Sequence, residues 1–282
     1  MTIDDPATIR RVPTRGKNPD GFQLWVGPSE ITGDLVGVVI THIRLPPLQR
    51  KIGNMAQAWI LPYDTQPIDA VRDGSDAAVC GTCRYRPSND GGCYVPIAQT
   101  AQRVWWAWRK FGSYLPVDAD DELEQLANKP LRIGAWGDPA AVPVHVWERV
   151  INVVPGLTGY THRWRGLDFE DWGWCMASCD TADEVREARA EGWRTFRARR
   201  ADEPMLPGER VCPAADEAPT HGRKNAHCAT CLLCDGVTDR VHRPDVSLIV
   251  HGQAHKRAAA WVGSAAAAIG QRVNRRIAGG GE

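Results

Sequence analysis

Residues 174–199 read WCMASCDTADEVREARAEGWRTFRAR, and this stretch decides the fold class. Its middle predicts a helix, because Thr181 is a suitable N-cap, Glu184 follows three residues later as in a capping box, and Gly192 closes the helix. The flanking runs WCMAS and WRTFRAR are typical of strands. A strand, a helix and a second strand in succession favour parallel pairing through a right-handed crossover.

The same alternation extends over most of the chain. Further predicted strands lie at residues 35–43, 55–61, 131–136, 157–161, 209–213 and 247–252. Further predicted helices lie at residues 67–72, 96–111, 120–128, 144–153 and 253–277. We predict an α/β fold: a (β/α) barrel, complete or incomplete, with cysteine-rich metal-binding insertions, or alternatively an open doubly wound sheet. Residues 1–33 are interpreted as an irregular lead-in with one short strand at 22–26, and residues 34–282 as a single domain.

Composition and charge narrow the function classes. The 282 residues carry 34 basic and 34 acidic side chains, for a formal net charge of +0, so any contact with nucleic acid must be local. No stretch approaches the roughly 20 apolar residues that a membrane span needs, and the acidic start MTIDD does not resemble a signal peptide. We therefore expect a cytoplasmic protein without a membrane partner, and its oligomeric state is left open.

Three tryptophans lie close together on the predicted helix at 96–111. They are Trp105, Trp106 and Trp108. We interpret them as core packing on a large helix face, and the alternative is a stacking platform for bases or a lid over a cofactor.

Nine cysteines supply the strongest functional signal. In a reducing compartment, cysteines at short spacings are more often ligands or catalytic groups than disulfide partners, and the odd count argues against a complete disulfide framework. Cys80, Cys83 and Cys93 form the first cysteine group, in CGTCRYRPSNDGGCY, where a C-x2-C pair lets two thiolates converge on one metal. Three cysteines leave one position for a distant protein ligand, for solvent or for substrate.

The second cysteine group combines a tight motif with a remote residue. Cys228, Cys231 and Cys234 form C-x2-C-x2-C, and Cys212, followed by Pro213, lies upstream. The spacing resembles that of bacterial-type ferredoxins, in which the remote Cys-Pro lies downstream. We interpret both groups as metal ligands and favour an iron-sulfur cluster, 4Fe-4S in type, over zinc. Whether the two groups hold two metals or converge on one is left open.

The two remaining cysteines differ from these groups. On a strand, Cys175 and Cys179 would lie about 13 Å apart, too far for one metal. We interpret Cys175 as a core residue. Cys179, at the strand end beside Asp180, is not assigned as a ligand, and a role as ligand or reactive thiol is the alternative.

Polar residues follow several predicted strands, at the carboxyl ends where parallel sheets carry their active sites. They are Gly137 and Asp138, Thr161 and His162, Ser178 and Asp180, Arg197 and Arg199, Cys212 and His251. We predict Asp138 as nucleophile or general base, His162 as its proton-transfer partner, and Arg197 or Arg199 as an anion clamp. Each also has a structural interpretation, such as a helix cap for Asp138 or an ion pair for Arg197.

The order of these motifs carries a family resemblance. C-x2-C with a later CY, a strand ending in Gly137 and Asp138, then GYTHRW, MAS, VCPA and C-x2-C-x2-C follow one another within residues 55–251. In this order the chain resembles a family of cysteine-rich proteins encoded by bacteriophages and prophages. The resemblance implies a TIM-barrel-like metal-binding architecture and a phage setting, in which enzymes that modify nucleotides or nucleic acid are common.

Two other barrel families bear on mechanism. Radical S-adenosylmethionine enzymes use C-x3-C-x2-C, from which the C-x2-C-x9-C of the first cysteine group departs. Transglycosylases that exchange guanine in tRNA or phage DNA use an aspartate nucleophile and a Cys3His zinc site. Cys228, Cys231 and Cys234 with His251 or His255 resemble that site in composition but not in spacing.

The leading hypothesis is a metal-cluster enzyme that acts on a nucleotide or nucleic-acid substrate, with nucleic-acid modification of a phage type as one form of it. One alternative is a non-catalytic, zinc-stabilised binding module. The other is a transglycosylase-like base-exchange enzyme with a cysteine-rich zinc site.

Overall fold

The computed structural model describes residues 20–47, 51–89, 91–117, 119–215, 226–236 and 243–250. Ten strands run through these residues. They are β1 (Gly21–Pro28), β2 (Leu35–Thr41), β3 (Ala56–Pro62), β4 (Leu131–Trp136), β5 (Leu157–Thr158), β6 (Tyr160–Thr161), β7 (Met176–Cys179), β8 (Thr195–Arg199), β9 (Glu209–Val211) and β10 (Asp245–Ile249).

The strands form two five-stranded sheets. The first has the order β1-β2-β3-β4-β5, with antiparallel pairs up to β3 and parallel pairs from β3 to β5. The second has the order β6-β7-β8-β10-β9 and all its pairs are parallel. The predicted α/β class with parallel pairing is therefore confirmed. Within the described ranges the edge strands are β1 and β5 in the first sheet and β6 and β9 in the second, and closure into a barrel stays a prediction.

Along the chain, Gly159 is the one residue between β5, an edge strand of the first sheet, and β6, an edge strand of the second. Its N–H donates to the carbonyl of Cys234 at 3.2 Å, and its carbonyl accepts the N–H of Met176 at 3.0 Å. A Cβ at this position would lie 3.3 Å from the sulfur of Cys175, which is tighter than most such contacts. The predicted strand at 157–161 is thus divided because its central residue bonds to two other segments.

Short helices cover the connections between strands. In the part of the chain that the structure describes, the α-helices are α1 (Pro67–Asp73), α2 (Ala77–Cys80), α3 (Ala101–Trp105), α4 (Val144–Ile151), α5 (Phe169–Trp172), α6 (Ala182–Ala190) and α7 (Cys228–Cys231). Four 3-10 helices, Pro87–Asn89, Ile97–Gln99, Asp120–Leu126 and Pro139–Ala141, and one π-helical turn, Trp106–Lys110, complete the set.

Helix α6 begins with the predicted capping box. The hydroxyl of Thr181 accepts the N–H of Glu184 at 3.2 Å, and the Glu184 carboxylate accepts the amides of Thr181 and Asp180 at 3.1 and 2.6 Å. These bonds satisfy backbone donors that the first turn of a helix leaves free, which fixes where α6 starts.

Helix α6 also defines the two faces of the second sheet. Val185 and Ala188 lie in one buried cluster with Ala177 and Cys179 of β7. Burial of Val185 contributes roughly 1.5 to 3 kcal/mol. Because successive strand residues point to opposite faces, Ser178 lies on the face directed away from α6.

The predicted helix at 96–111 is divided into three pieces. Its three indoles donate to separate acceptors: Trp105 to the Pro62 carbonyl, Trp106 to the Gln66 side chain and Trp108 to the Gln23 side chain. A π-helical turn widens the helix where these side chains diverge. Trp108 is buried as core packing requires, whereas Trp106 is 40% exposed.

Three further sequence predictions concern the N-terminal segment, the C-terminal helix and membrane-spanning helices. The strand predicted at 22–26 is part of β1, so the first sheet begins inside the segment interpreted as a lead-in. The helix predicted at 253–277 lies outside the described residues. Among the residues that are described, no helix combines the length and the apolar character that crossing a membrane requires.

Candidate functional site

Asp138 orders the backbone at the carboxyl ends of β4 and β6. Its buried carboxylate accepts the N–H of Ala140 at 3.0 Å, the hydroxyl of Thr161 at 2.7 Å and the N–H of His162 at 2.8 Å. Its own N–H donates to the carbonyl of Val79 at 2.6 Å. Asp138 and His162, predicted as partners, are therefore brought together, but through the histidine backbone. The contacts describe a positioning residue, and the nucleophile role stays a prediction.

The His162 ring lies among three polar side chains. Its Nε2 atom is 3.2 Å from the Ser178 hydroxyl, 3.8 Å from the Asp180 carboxylate and 3.9 Å from the Cys83 sulfur. Burial alone lowers the pKa of His162, but interactions with the Cys83 side chain and with the Asp180 carboxylate outweigh burial and raise it well above its usual value. We call His162, Ser178 and Asp180 the strand-end cluster.

Asp180 adds negative charge to the strand-end cluster. Its side chain is only 8% exposed, and among the described residues its Oδ1 atom has no hydrogen-bond partner. Arg84 approaches its other carboxylate oxygen at 3.8 Å. Burial and then the Asp180 charge raise the pKa of Tyr85, whose ring packs edge-on against His162. The cluster is therefore largely buried and has charges of both signs around it.

The loop of the first cysteine group is held by a buried ion pair. Arg86 donates to the carbonyls of Gly74 and Gly81, both at 2.8 Å, and to the carboxylate of Asp76 at 2.6 Å. Asp76 is fully buried and also accepts the hydroxyl of Ser88 at 2.9 Å. Because a buried guanidinium and carboxylate neutralise each other, this network fixes the loop that carries Cys80 and Cys83.

The three sulfur atoms of the first cysteine group interact electrostatically. Burial, and then the charges of Cys83 and Cys93, raise the pKa of Cys80 well above its usual value. Burial raises the pKa of Cys93 to about 11, and a backbone hydrogen bond from Val95 opposes that shift. The mutual effect means that these thiols share one neighbourhood, and a metal ion that binds them must displace their protons.

The second cysteine group is assembled from distant segments. Cys212 follows β9 and donates its N–H to the Ser247 carbonyl of β10 at 2.9 Å. Helix α7 carries Cys228 and Cys231 at its two ends, and the N–H of Cys228 donates to the Lys51 carbonyl at 3.0 Å. Cys234 follows and packs on the second sheet with Met176 and Val246.

Electrostatics connect all four sulfur atoms of the second cysteine group. Burial raises the pKa of Cys234, the Tyr160 hydroxyl lowers it by donating a hydrogen bond to the sulfur, and the charges of Cys212, Cys228 and Cys231 raise it further. Burial raises the pKa of Cys228 as well, and the positive charge of Arg132 opposes that shift. A cation and a hydroxyl donor beside the thiols favour thiolates, the form that binds metal.

A fully buried arginine holds the segment after Cys231. Arg194 donates to the carbonyls of Leu233 and Pro244 at 2.7 and 2.6 Å and to the Asp235 carboxylate at 3.1 Å. These bonds tie the loop that ends the second cysteine group to β8 and β10.

The two cysteine groups have the right chemistry for a metal but are not closed around one. All nine cysteines are free thiols. Across the described ranges, no three His, Cys, Asp or Glu side chains converge closely enough to form a ready-made ion site. Thiolate and imidazole are the ligands that zinc and iron-sulfur centres use, so the residue types fit while side-chain rotation is still required.

Arg197 lies apart from the strand-end cluster. It is in register with Cys179, so its side chain points to the opposite face from Ser178. Both carboxylate oxygens of Glu209 accept its donors at 2.6 and 2.7 Å, and the Pro204 carbonyl accepts another at 2.8 Å. The structure does not bring it together with the other two predicted catalytic residues.

The other residues singled out in the sequence bind backbone carbonyls, lie in the core or lie outside the described ranges. Arg199 donates to the carbonyls of Arg200 and Glu203. Cys175 and Cys179 are fully buried, as expected of core residues. His251 and His255 lie outside the described residues.

Sequence reasoning missed Arg132 and Tyr160. Each is a polar residue within a short run otherwise typical of a buried strand, and that contrast was the available signal. Arg84 and Tyr85 were also missed because they lie in the loop between two recognised cysteines.

Compared with known proteins, this chain matches no protein-family model, no curated protein and no solved structure.

Proposed function

We propose that this chain is a metal-dependent enzyme that acts on a nucleotide or nucleic-acid substrate at the carboxyl ends of β6 and β7. The observation that carries the proposal is that the second cysteine group and the strand-end cluster share one face of the second sheet. Tyr160 is in register with Met176, and Ser178 lies two residues further along β7. Side chains two residues apart on a strand point the same way, about 7 Å apart.

The metal would therefore lie on the same face of the sheet as the substrate, about two residues before the carboxyl end of β7. Cys234 packs with Met176 and Tyr160 at one level, and His162 contacts Ser178 at the next. We favour a 4Fe-4S cluster for the second cysteine group, with zinc as the alternative. The (β/α) barrel is part of this proposal, because strands β3 to β10 would then enclose this face.

Two guanidinium groups support a phosphate-bearing substrate. Arg84 lies beside Asp180. The Cδ atom of Arg163 lies 3.7 Å from the point that a Cβ added to Gly81 would occupy. Guanidinium groups bind phosphate through paired hydrogen bonds. The resemblance to phage-encoded proteins supports the same substrate class. Neither observation specifies the reaction.

A second candidate is a non-catalytic, zinc-stabilised binding module. It is favoured by the approach of His162 to Cys83, because a first cysteine group completed by a histidine has no coordination position left for substrate. The two candidates differ in cofactor and in whether substrate turns over.

Metal and sulfide analysis with an absorption spectrum, on full-length protein purified without oxygen, tests the proposal. Brown protein with stoichiometric iron and sulfide that Cys231→Ser loses and Cys175→Ala keeps would support the iron-sulfur enzyme. Colourless protein with zinc would support the second candidate or the transglycosylase-like alternative. Protein without metal in either form would overturn the proposal.

Substrate binding is tested with ATP and with a fluorescent single-stranded DNA oligonucleotide. We expect Arg84→Ala and Arg163→Ala each to weaken binding of one of these probes by about tenfold. Arg186→Ala, on the exposed face of α6, is the matched control and should bind as the unmodified protein does. Equal binding by all three variants would remove the support for a phosphate-bearing substrate.

A further inference from the structure

We infer that His162 is the fourth ligand of the first cysteine group, so that Cys80, Cys83, Cys93 and His162 hold one divalent ion of the zinc class. The inference rests on the metal binding that the sequence predicts for the first cysteine group, and it specifies the ligand set and the nature of that centre. It makes the centre a closed cross-link between the loop of residues 80–93 and the end of β6.

The separation of Cys83 and His162 supports a single ion. In a tetrahedral zinc site with bonds of about 2.3 Å to sulfur and 2.0 to 2.1 Å to nitrogen, the two ligand atoms lie about 3.5 Å apart. The Cys83 sulfur and the His162 Nε2 atom are 3.9 Å apart, within a few tenths of an ångström of that value. Ligands on different iron ions of a cubane lie much farther apart, so this pair fits a single ion better than a cluster.

The backbone holds both sides of the centre before any metal binds. Asp138 accepts the N–H of His162, and its own N–H binds the carbonyl of Val79, the residue before Cys80. One residue therefore fixes the distance between the end of α2 and the loop after β6. Preorganised ligands lose less conformational entropy when they bind an ion.

Closing the centre would require the cysteine side chains to rotate. The thiols of Cys80, Cys83 and Cys93 already perturb one another, although in the described residues they do not form a finished site. Rotation about χ1 from one staggered position to the next moves a cysteine sulfur by about 3 Å.

Asp180 is the competing fourth ligand, and two contacts argue against it. Its carboxylate already lies 3.8 Å from the Arg84 guanidinium and 3.8 Å from the Nε2 atom of His162, whereas that same Nε2 atom lies 3.9 Å from the Cys83 sulfur. We therefore place Asp180 next to the centre and not in it. Soft thiolates with imidazole are also a common ligand set for structural zinc.

Titration of the full-length, reduced protein with Co²⁺ tests the assignment, because the d–d absorption of Co²⁺ depends on its ligands. Cys83→Ser should remove one equivalent of bound Co²⁺. His162→Ala should weaken that equivalent by tenfold or more, since even residues that only support a ligand cost about 10- to 100-fold. His162→Cys should keep the equivalent and shift its absorption to longer wavelength with stronger sulfur charge transfer. Rescue by cysteine excludes a purely structural role for His162.

Two variants serve as controls. Asp180→Asn should keep the Co²⁺ spectrum, and His145→Ala, on an exposed turn of α4, should leave both the spectrum and the affinity unchanged. If Cys83→Ser loses Co²⁺ but His162→Ala does not, or if Asp180→Asn changes the spectrum as predicted for His162, the present inference is wrong while the proposed function stands. If Cys83→Ser loses no Co²⁺, metal binding by the first cysteine group is itself wrong.

Discussion

The N–H of Asp138 donates to the carbonyl of Val79 at 2.6 Å, and this bond joins the turn after β4 to the helix that ends at Cys80. The carboxylate of the same residue binds the backbone of His162. Three parts of the candidate site, a strand end, a cysteine loop and a histidine loop, therefore depend on one buried side chain. That dependence can be measured.

Replacement of Asp138 should cost stability before it affects chemistry. Asp138→Ala leaves the Thr161 hydroxyl and the amides of Ala140 and His162 without their acceptor, which should lower the free energy of unfolding by about 2 to 4 kcal/mol in urea titration. Asp121→Ala, at an exposed carboxylate, should stay within about 0.5 kcal/mol of the unmodified protein. Equal stability of the two variants would contradict the positioning role.

Gly137 is required for both its conformation and its space. Its φ is +90°, and an added Cβ would lie 2.8 Å from the carbonyl oxygen of Ile60. Gly33 has a φ of +82° with nothing within 4 Å, so Gly33→Ala should cost about 1 kcal/mol from backbone strain alone. We expect Gly137→Ala to cost about 1 to 3 kcal/mol more, from the contact with β3. Thermal or urea unfolding of the pair measures the difference, and equal losses would mean that the turn after β4 moves freely.

Arg194 should affect the second cysteine group selectively. Arg194→Met leaves the carbonyls of Leu233 and Pro244 without their donor and removes one of the guanidinium partners of Asp235, which keeps Arg243, so we expect a loss of about 2 to 4 kcal/mol in the free energy of unfolding. The variant should lose the metal bound by the second cysteine group and keep the metal bound by the first. Arg186→Met, at an exposed position of α6, is the matched control and should change neither quantity measurably. A variant that retains all its metal would show that the loop is ordered without Arg194.

Removal of metal should loosen the chain locally before it unfolds globally. Dialysis against a chelator under reducing conditions should lower the midpoint of thermal unfolding by roughly 5 °C or more. Hydrogen exchange followed by mass spectrometry should show faster exchange in residues 80–93 and 226–236, while α6, which the capping box and its buried face hold, stays protected. An unchanged exchange pattern after metal loss would mean that neither cysteine group is a structural centre.

Local signals in the sequence predicted what depends on local structure. Thr181 and Glu184 form their capping box within a few residues, and β4 matches the predicted strand at 131–136. The interruption at Gly159 was not predictable in this way, because it depends on bonds to Cys234 and Met176. The division of the helix at 96–111 likewise depends on distant acceptors for its indoles.

The candidate site follows the same rule. Spacing made the cysteine groups visible, but the neighbours that tune them, such as Arg132 and Tyr160, come from other strands. The proximity of His162 to Cys83 bridges separate segments and required the fold. Arg197 was singled out because it follows a strand, yet its position relative to Cys179 puts it on the other face.

The contacts of α7 with the early part of the chain also bear on the order of folding. The amides of Cys228 and Ala229 bind the carbonyls of Lys51 and Ile52, and Arg194 reaches forward to Pro244. Contacts between residues so far apart in sequence form late, because the intervening chain must first be synthesised and its loop closed. If the second cysteine group binds metal as proposed, incorporation of that metal is a late maturation step. A ribosome-bound chain that has not yet exposed residue 234 would present these thiols unassembled to oxidants and to competing metals.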